Sequence, residues 1–360
     1  SPTFKVSDFF SSLSITEDIL PLLCSEKKIS VQCDSTKVSK FNFMQRKILR
    51  KFVVKKLRDG HYVDSFDYEE LALEDFIEKT KNERVVLLSD VAGSGKTTLL
   101  KKIQEILLNE HKLAWLSFVN LKSFIAEFKE GACDTFVNDI IKILKFDVLH
   151  SKIFSEKFKN GEVKILFDGF DEISPKCKEE VLEVFKNFYR SDASKNNQIF
   201  ITTRTHLEED LASVLHALGN KIQALDNNDQ VKFLKEYWED EVPDLDSDLA
   251  QECSKILVNK IAEIISTNTS LIGLPLIVQG LAKVYKQKIS LKYEEFEKEI
   301  QNLHILDVYY KIIELNLDIL ETKHQDKLRG FLNKDTSIKT VFRYHAIAYL
   351  FSEVMARSLG

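Results

Sequence analysis

Three short pieces in a fixed order constrain this chain more than anything else in it. An apolar run, Val85-Val86-Leu87-Leu88-Ser89, is followed by Gly93-Ser94-Gly95-Lys96-Thr97-Thr98, and helical spacing then runs from Thr97 to Leu108. A buried strand that turns into a helix through small residues lets the backbone wrap closely around an anion. The amide N–H groups of the helix N-terminus point at that anion, and the helix dipole adds to the attraction. In such a loop, flanked by Ala92 and Thr98, Lys96 reaches the β- and γ-phosphates of a nucleotide and the Thr97 hydroxyl ligates Mg²⁺. One position departs from the full pattern GxxxxGK[ST], which would place Gly where Asp90 stands. The Asp90 carboxylate must therefore turn away from the phosphates or cap the loop.

Two further strand ends carry chemistry. Val163-Lys164-Ile165-Leu166-Phe167 is an apolar strand that runs into Asp168-Gly169-Phe170-Asp171-Glu172. An aspartate at the end of such a strand is the expected partner of a phosphate loop, holding Mg²⁺ directly or through water. Asp171 and Glu172 lie just past it, where either could orient a hydrolytic water. Gln198-Ile199-Phe200-Ile201-Thr202 ends in Thr203-Arg204, and an arginine there can report a γ-phosphate.

These strands belong to an alternating series. Leu113 to Val119 is another strand candidate, and Lys221 to Leu225 a short fifth. Helical spacing fills the intervals around Phe136 to Leu144, Glu179 to Tyr189 and Leu207 to Leu218. The alternation predicts an α/β fold of P-loop NTPase type, with a five-stranded parallel sheet covered on both faces. After Asn227 only helical patterns remain: Gln230–Glu239, Leu249–Ile265, Pro275–Tyr285, Ile305–Leu320 and Val341–Ala356. The expected organisation is a helical or mixed segment over 1–60, a nucleotide-binding α/β domain over 61–226, a helical domain over 227–290 and a final segment over 291–360. Within the first segment, Phe41 to Arg58 reads as a basic helix.

Composition narrows the classes. With 51 Lys and Arg against 56 Asp and Glu, the formal net charge is −5, which gives no general reason to expect a nucleic-acid partner. No apolar run approaches the roughly 18–20 residues needed to cross a bilayer. The cysteines (Cys24, Cys33, Cys133, Cys177 and Cys253) are scattered and lack CxxC spacing, as expected of reduced thiols in an intracellular protein. The histidines form no zinc-binding pattern. The chain begins with Ser-Pro rather than Met and reads as a piece of something longer.

Taken together, Ala92 to Thr97, Asp168 to Glu172 and Thr202 to Arg204 resemble the motifs of the NACHT family of STAND-class NTPases, the nucleotide switches of NOD-like receptors. The family loop runs G-x-A-G-x-G-K-[ST], and its second motif is an apolar strand followed by D-G-φ-D-E (φ apolar). Tyr62-Val63 is similar to the segment that lines the adenine pocket in that family. Gly273-Leu274-Pro275-Leu276 is similar to its G-L-P motif, whose proline packs on adenine. Phe342 to Phe351 resembles the F-x-H-x-x-F-x-E-Y-F stretch of the winged-helix domain, with Tyr344 on the family histidine and His345 one place along. Ser89-Asp90 and the Leu306–Leu320 helix are most similar to arthropod NACHT proteins.

The resemblance implies an α/β core followed by an all-helical domain and a winged-helix-like C-terminal segment, with ATP or ADP and Mg²⁺ bound. It implies a cytoplasmic switch in innate-immune or stress signalling, closed with ADP and self-associating with ATP, with slow hydrolysis as a reset and protein partners held by regions outside this chain. Two alternatives stand beside it. One is a scaffold that binds nucleotide permanently without turnover. The other is a turnover ATPase of the AAA+ type, although Gly169 occupies the place of the glutamate such enzymes carry after the strand-end aspartate.

Overall fold

The computed structural model describes residues 46–58, 61–110, 115–124, 133, 135–173, 175–192, 195–264, 273–289 and 293–304. Its strands are β1 (Lys47–Arg58), β2 (His61–Ala72), β3 (Val85–Ser89), β4 (Trp115–Asn120), β5 (Val163–Asp168), β6 (Gln198–Thr203) and β7 (Gly219–Ile222). Its helices are α1 (Leu73–Thr80), α2 (Lys96–Glu110), α3 (Phe136–Leu144), α4 (Val148–Lys159), α5 (Lys178–Arg190), α6 (Glu208–Leu215), α7 (Asn227–Glu241), α8 (Ser247–Ile264), α9 (Pro275–Tyr285) and α10 (Tyr293–Gln301).

The strands form one sheet in the order β2-β1-β7-β3-β6-β5-β4. From β7 to β4 the neighbours are parallel, in a register that pairs Ser89 with Thr203 and Phe167 with Ile201. The connection between β1 and β2 is too short for a crossover, so these two strands form an antiparallel hairpin at the edge. The sheet is therefore mixed and seven-stranded, where the sequence reading expected five parallel strands. The difference lies in Lys47 to Arg58, expected within a basic helix and found as β1, and in His61 to Ala72, where no strand was expected and β2 is found. Phe52, Val53 and Val54 are aromatic and β-branched, residues that suit a pleated surface. The Lys51 amide donates to the Asn220 side-chain oxygen at 3.2 Å and the Gln223 amide to the Lys47 carbonyl at 3.0 Å, pinning β1 beside β7. β7 itself lies slightly upstream of the expected Lys221 to Leu225. The winged-helix-like segment, His345 and the helices expected beyond residue 304 lie outside the described residues.

Contacts divide the chain into two compact units. The first holds residues 50–90 and 97–221, and its core fills the α/β layers. β3 and β6 are buried along their whole length, as expected of strands covered on both faces. Phe185 of α5 meets Phe167 of β5 at 5.1 Å, and Phe188 meets Phe136 of α3 at 4.9 Å. Burying each such ring contributes roughly 2–3 kcal/mol. The α3 start is capped by Thr135, and that of α4 by Asp147, whose side chains accept the Asn138 and His150 amides.

The second unit takes in residues 46–49, the loop Val91–Lys96 and the described chain from 222 onward. An Asp226–Asp229 capping box starts α7. Trp238, fully buried, donates its indole N–H to the Ala282 carbonyl at 2.8 Å and tilts edge-on to Phe296. Cys177 and Cys253 are buried, and Cys133 is half-buried. Burial pushes the Cys253 thiol up to about 11, so it is a packing residue rather than a nucleophile. Among the described residues no helix is long and apolar enough to cross a membrane, and no cluster of His, Cys, Asp and Glu has a metal-binding arrangement.

Candidate nucleotide site

The loop begins where β3 ends. The Asp90 amide donates to the Thr203 carbonyl at 3.2 Å, which carries the β3–β6 ladder one step past Ser89. Asp90 keeps an ordinary negative φ, so glycine is not needed at this position. The left-handed conformations fall instead on Gly93 (φ 78°) and Gly95 (φ 93°). Both are places where an L side chain would be strained. Val91 and Ala92 are exposed, whereas Ser94 is buried. Lys96 opens α2 and folds its ammonium back to donate to the Val91 carbonyl at 2.7 Å. Thr98 follows on the exposed side of the first turn.

The first turn of α9 belongs to the same unit as the loop. The Leu276 amide donates to the Gly93 carbonyl at 3.3 Å, and a Cβ placed on Gly93 would lie 2.8 Å from that of Leu276. Pro275 Cγ would lie 3.7 Å from a Cβ on Gly95. On the other side Arg46 Nη2 donates to the Ser94 carbonyl at 3.2 Å and the Gln223 carbonyl at 2.8 Å. Tyr62 and Val63 lie in β2, and their side chains are outside the described residues.

The strand-end half of the machinery lies in the α/β unit. β6 stands between β3 and β5, so the ends carrying Asp90, Arg204 and Asp168 lie side by side. Asp168 is buried. It accepts the Thr202 hydroxyl at 2.7 Å and the hydroxyl of Thr97. Burial pushes its carboxyl above the ordinary range, and the two hydroxyl bonds pull it back in part. Thr202 also accepts the Gly169 amide at 2.8 Å, so one hydroxyl fixes both the aspartate and the turn after it.

That turn explains the spacing of the second motif. Gly169 adopts φ 81°, and the chain enters a short 3₁₀ turn over Phe170–Glu172 closed by the Glu172 amide on the Gly169 carbonyl at 2.9 Å. Phe170 is buried against Phe185, which holds the acidic pair just beyond the strand. Asp171 pairs with Arg204 Nε at 2.7 Å, while the more exposed Glu172 pairs with Lys122 at 3.2 Å. A Cβ on Gly169 would meet only ordinary contacts with Glu172, so the requirement for glycine comes from the backbone alone. Gly169→Ala should therefore destabilise the fold by about 1–2 kcal/mol. Gly169→Asn should cost less, because asparagine tolerates the left-handed region. Chemical denaturation of the two variants checks the order.

The residues fit a nucleotide phosphate and a magnesium ion. The Ser94, Ser89 and Thr203 hydroxyls are buried with no hydrogen-bond partner among the described residues, and a polar ligand is what such groups ordinarily await. The Thr97 hydroxyl and Asp168 carboxylate are hard oxygen donors of the kind Mg²⁺ takes. Sequence reading named Ser94, Thr97 and Asp168 for this site but missed Arg46, Lys122, the contact that Leu276 makes with the loop and the bridging role of Thr202. Each of those acts through a partner remote in the chain.

A left-handed glycine loop joining a central parallel strand to a helix, with a buried aspartate ending a nearby strand, defines a P-loop nucleotide-binding NTPase. The NACHT-domain family model matches residues 84–241 of the chain. Among curated proteins none matches it. Domain III of the replication initiation protein DnaA from Thermotoga maritima is similar at 14% identity with a TM-score of 0.34, over 55% of this chain and 82% of that one. The Holliday junction branch migration motor RuvB of the same organism is similar at 14% identity with a TM-score of 0.36, over 70% of this chain and 78% of that one. The strand order and loop geometry define the fold here; likenesses at these scores add nothing to them.

Proposed function

We propose that this protein is an adenine-nucleotide switch of the NOD-like receptor type, closed with ADP and opened toward self-association by exchange for ATP. The observation that most supports it is the loop itself. Gly93 and Gly95 are in the conformations a phosphate cradle requires, and the loop's outer side is held by Pro275, Leu276 and Arg46. The phosphates rest on residues Ala92 to Thr98, with Lys96 as the principal cation. Thr97 and Asp168 hold Mg²⁺, which supplies charge neutralisation at the phosphate oxygens. Tyr62, Val63 and Pro275 take the adenine side.

Arg204 is the γ-phosphate reader. Its Nε pairs with Asp171 at 2.7 Å, and a γ-phosphate would compete with that carboxylate for the guanidinium. Asp171 or Glu172 orients the hydrolytic water, and turnover is slow. Ligand identity moves such a switch only through its differential affinity for the two forms. The helical domain over 227–290 and the segment after it carry the response, in a cytoplasmic protein of innate-immune or stress signalling.

Nucleotide exchange tests the switch. Protein loaded with a fluorescent ADP analogue should release it when chased with ATP and Mg²⁺, with a change in oligomeric state by light scattering. Retention of the label through the chase, with no change in mass, would favour a nucleotide-locked scaffold. Rapid multiple turnover would instead favour the AAA+-type ATPase.

A further inference from the structure

Two groups hold consecutive carbonyls of the phosphate loop from behind, and neither is part of the motifs that announce the loop. The Leu276 amide donates to the Gly93 carbonyl at 3.3 Å, and Arg46 Nη2 donates to the Ser94 carbonyl at 3.2 Å. We propose that Arg46 is a positioning residue which, with the Leu276 amide, fixes the peptide planes that present N–H groups to phosphate. The proposal rests on the nucleotide reading above.

A trans peptide is planar, and its N–H points opposite to its C=O. The Gly93 carbonyl held toward Leu276 sends the Ser94 amide the other way, and the Ser94 carbonyl held toward Arg46 does the same for the Gly95 amide. Those two successive amides are the inner donors of the cradle. Without such a hold both planes can turn, because Gly93 and Gly95 (φ 78° and 93°) have no side chain to restrict them.

Both holds are themselves anchored. The Leu276 amide is one of the donors that a helix start leaves without an internal partner, and α9 satisfies it with the loop. Arg46 also donates to the Gln223 carbonyl at 2.8 Å, and the Gln223 amide returns to the Lys47 carbonyl at 3.0 Å. The guanidinium thus bridges the end of β7 and the loop. Its Nη1 would stand 3.9 Å from a Cβ on Gly95, so its charge lies behind the amides and draws an anion toward them. Both bonds leave one nitrogen of a planar, preorganised guanidinium, whereas lysine, a point charge on a flexible stem, gives up more rotamer freedom to make them.

The test is a set of binding titrations with ADP, ATP and AMP on the full chain, in the unaltered protein and in Arg46→Ala and Arg46→Lys. Arg46→Ala should weaken ADP and ATP by the same factor, about tenfold, as expected for losing hydrogen bonds from a charged donor. AMP, which brings no β-phosphate to the loop, should bind as before. Arg46→Lys should recover only part of the loss. ADP binding within twofold of the unaltered chain overturns the proposal. So does equal loss of ADP and AMP, or full rescue by lysine, which would make the residue a general charge. If Arg46→Ala does not fold, Arg46→Gln keeps one neutral NH2 group and should lose about threefold for ADP with AMP unchanged; no loss there overturns the proposal as well. An unaltered chain that binds AMP but not ADP or ATP overturns the function reading itself, whatever the variants do.

Discussion

Lys96→Ala should weaken ADP and ATP by about a hundredfold or more, with little change in the stability of the nucleotide-free protein. The ammonium of Lys96 now rests on the Val91 carbonyl at 2.7 Å, an exposed bond within its own loop. Such a bond is worth little to the fold, under about 1 kcal/mol. On a phosphate the same group makes charge-assisted bonds of roughly 1.5–3 kcal/mol each, and every 1.4 kcal/mol is tenfold in affinity. Calorimetric titration gives the affinities, and the melting temperature without nucleotide gives the control. Unchanged affinity would place the phosphates somewhere other than this loop.

Asp168→Asn should spare nucleotide binding but remove its dependence on Mg²⁺, and should lower any hydrolysis by about a thousandfold, the scale on which lost charge stabilisation in a site is felt. The variant fits the site without rearrangement. The amide oxygen accepts the Thr202 hydroxyl as the carboxylate does at 2.7 Å, and the amide nitrogen can donate to Thr97, whose hydroxyl turns to suit.

The same variant has a signature without metal or nucleotide. Burial raises the Asp168 carboxyl in the fold above its unfolded value. A carboxyl raised in this way leaves stability intact below the unfolded pKa and takes it away as pH rises through the folded one. Asparagine carries no such penalty. Thermal melts from pH 4 to 8 should therefore show the variant gaining on the unaltered protein as pH rises. A constant difference would mean that Asp168 is not strained by burial, and retained Mg²⁺ dependence would move the metal to other ligands.

The parts of the fold that could be read in advance are those whose signal is local. β3, β5 and β6 are continuous apolar runs, and the small residues between β3 and α2 allow little else. Gly169 could be recognised as part of a motif, and its φ of 81° gives the reason it is there. What escaped notice depends on remote partners. Half of the twelve residues of β1 are basic, and its strand state is set by β7, far along the chain. Arg46 lies in the same basic stretch and gains its meaning only from the carbonyls of Ser94 and Gln223. The last two acids of the second motif, Asp171 and Glu172, are paired by cations from elsewhere in the chain, Arg204 and Lys122, and spacing alone carries no trace of Lys122.

The most direct test is to denature the purified protein and identify by chromatography any nucleotide it releases. The switch reading predicts ADP at one equivalent per chain, stripped only by unfolding or by exchange with ATP and Mg²⁺. A protein that releases nothing, and that gains no thermal stability from ADP or ATP with Mg²⁺, would contradict it.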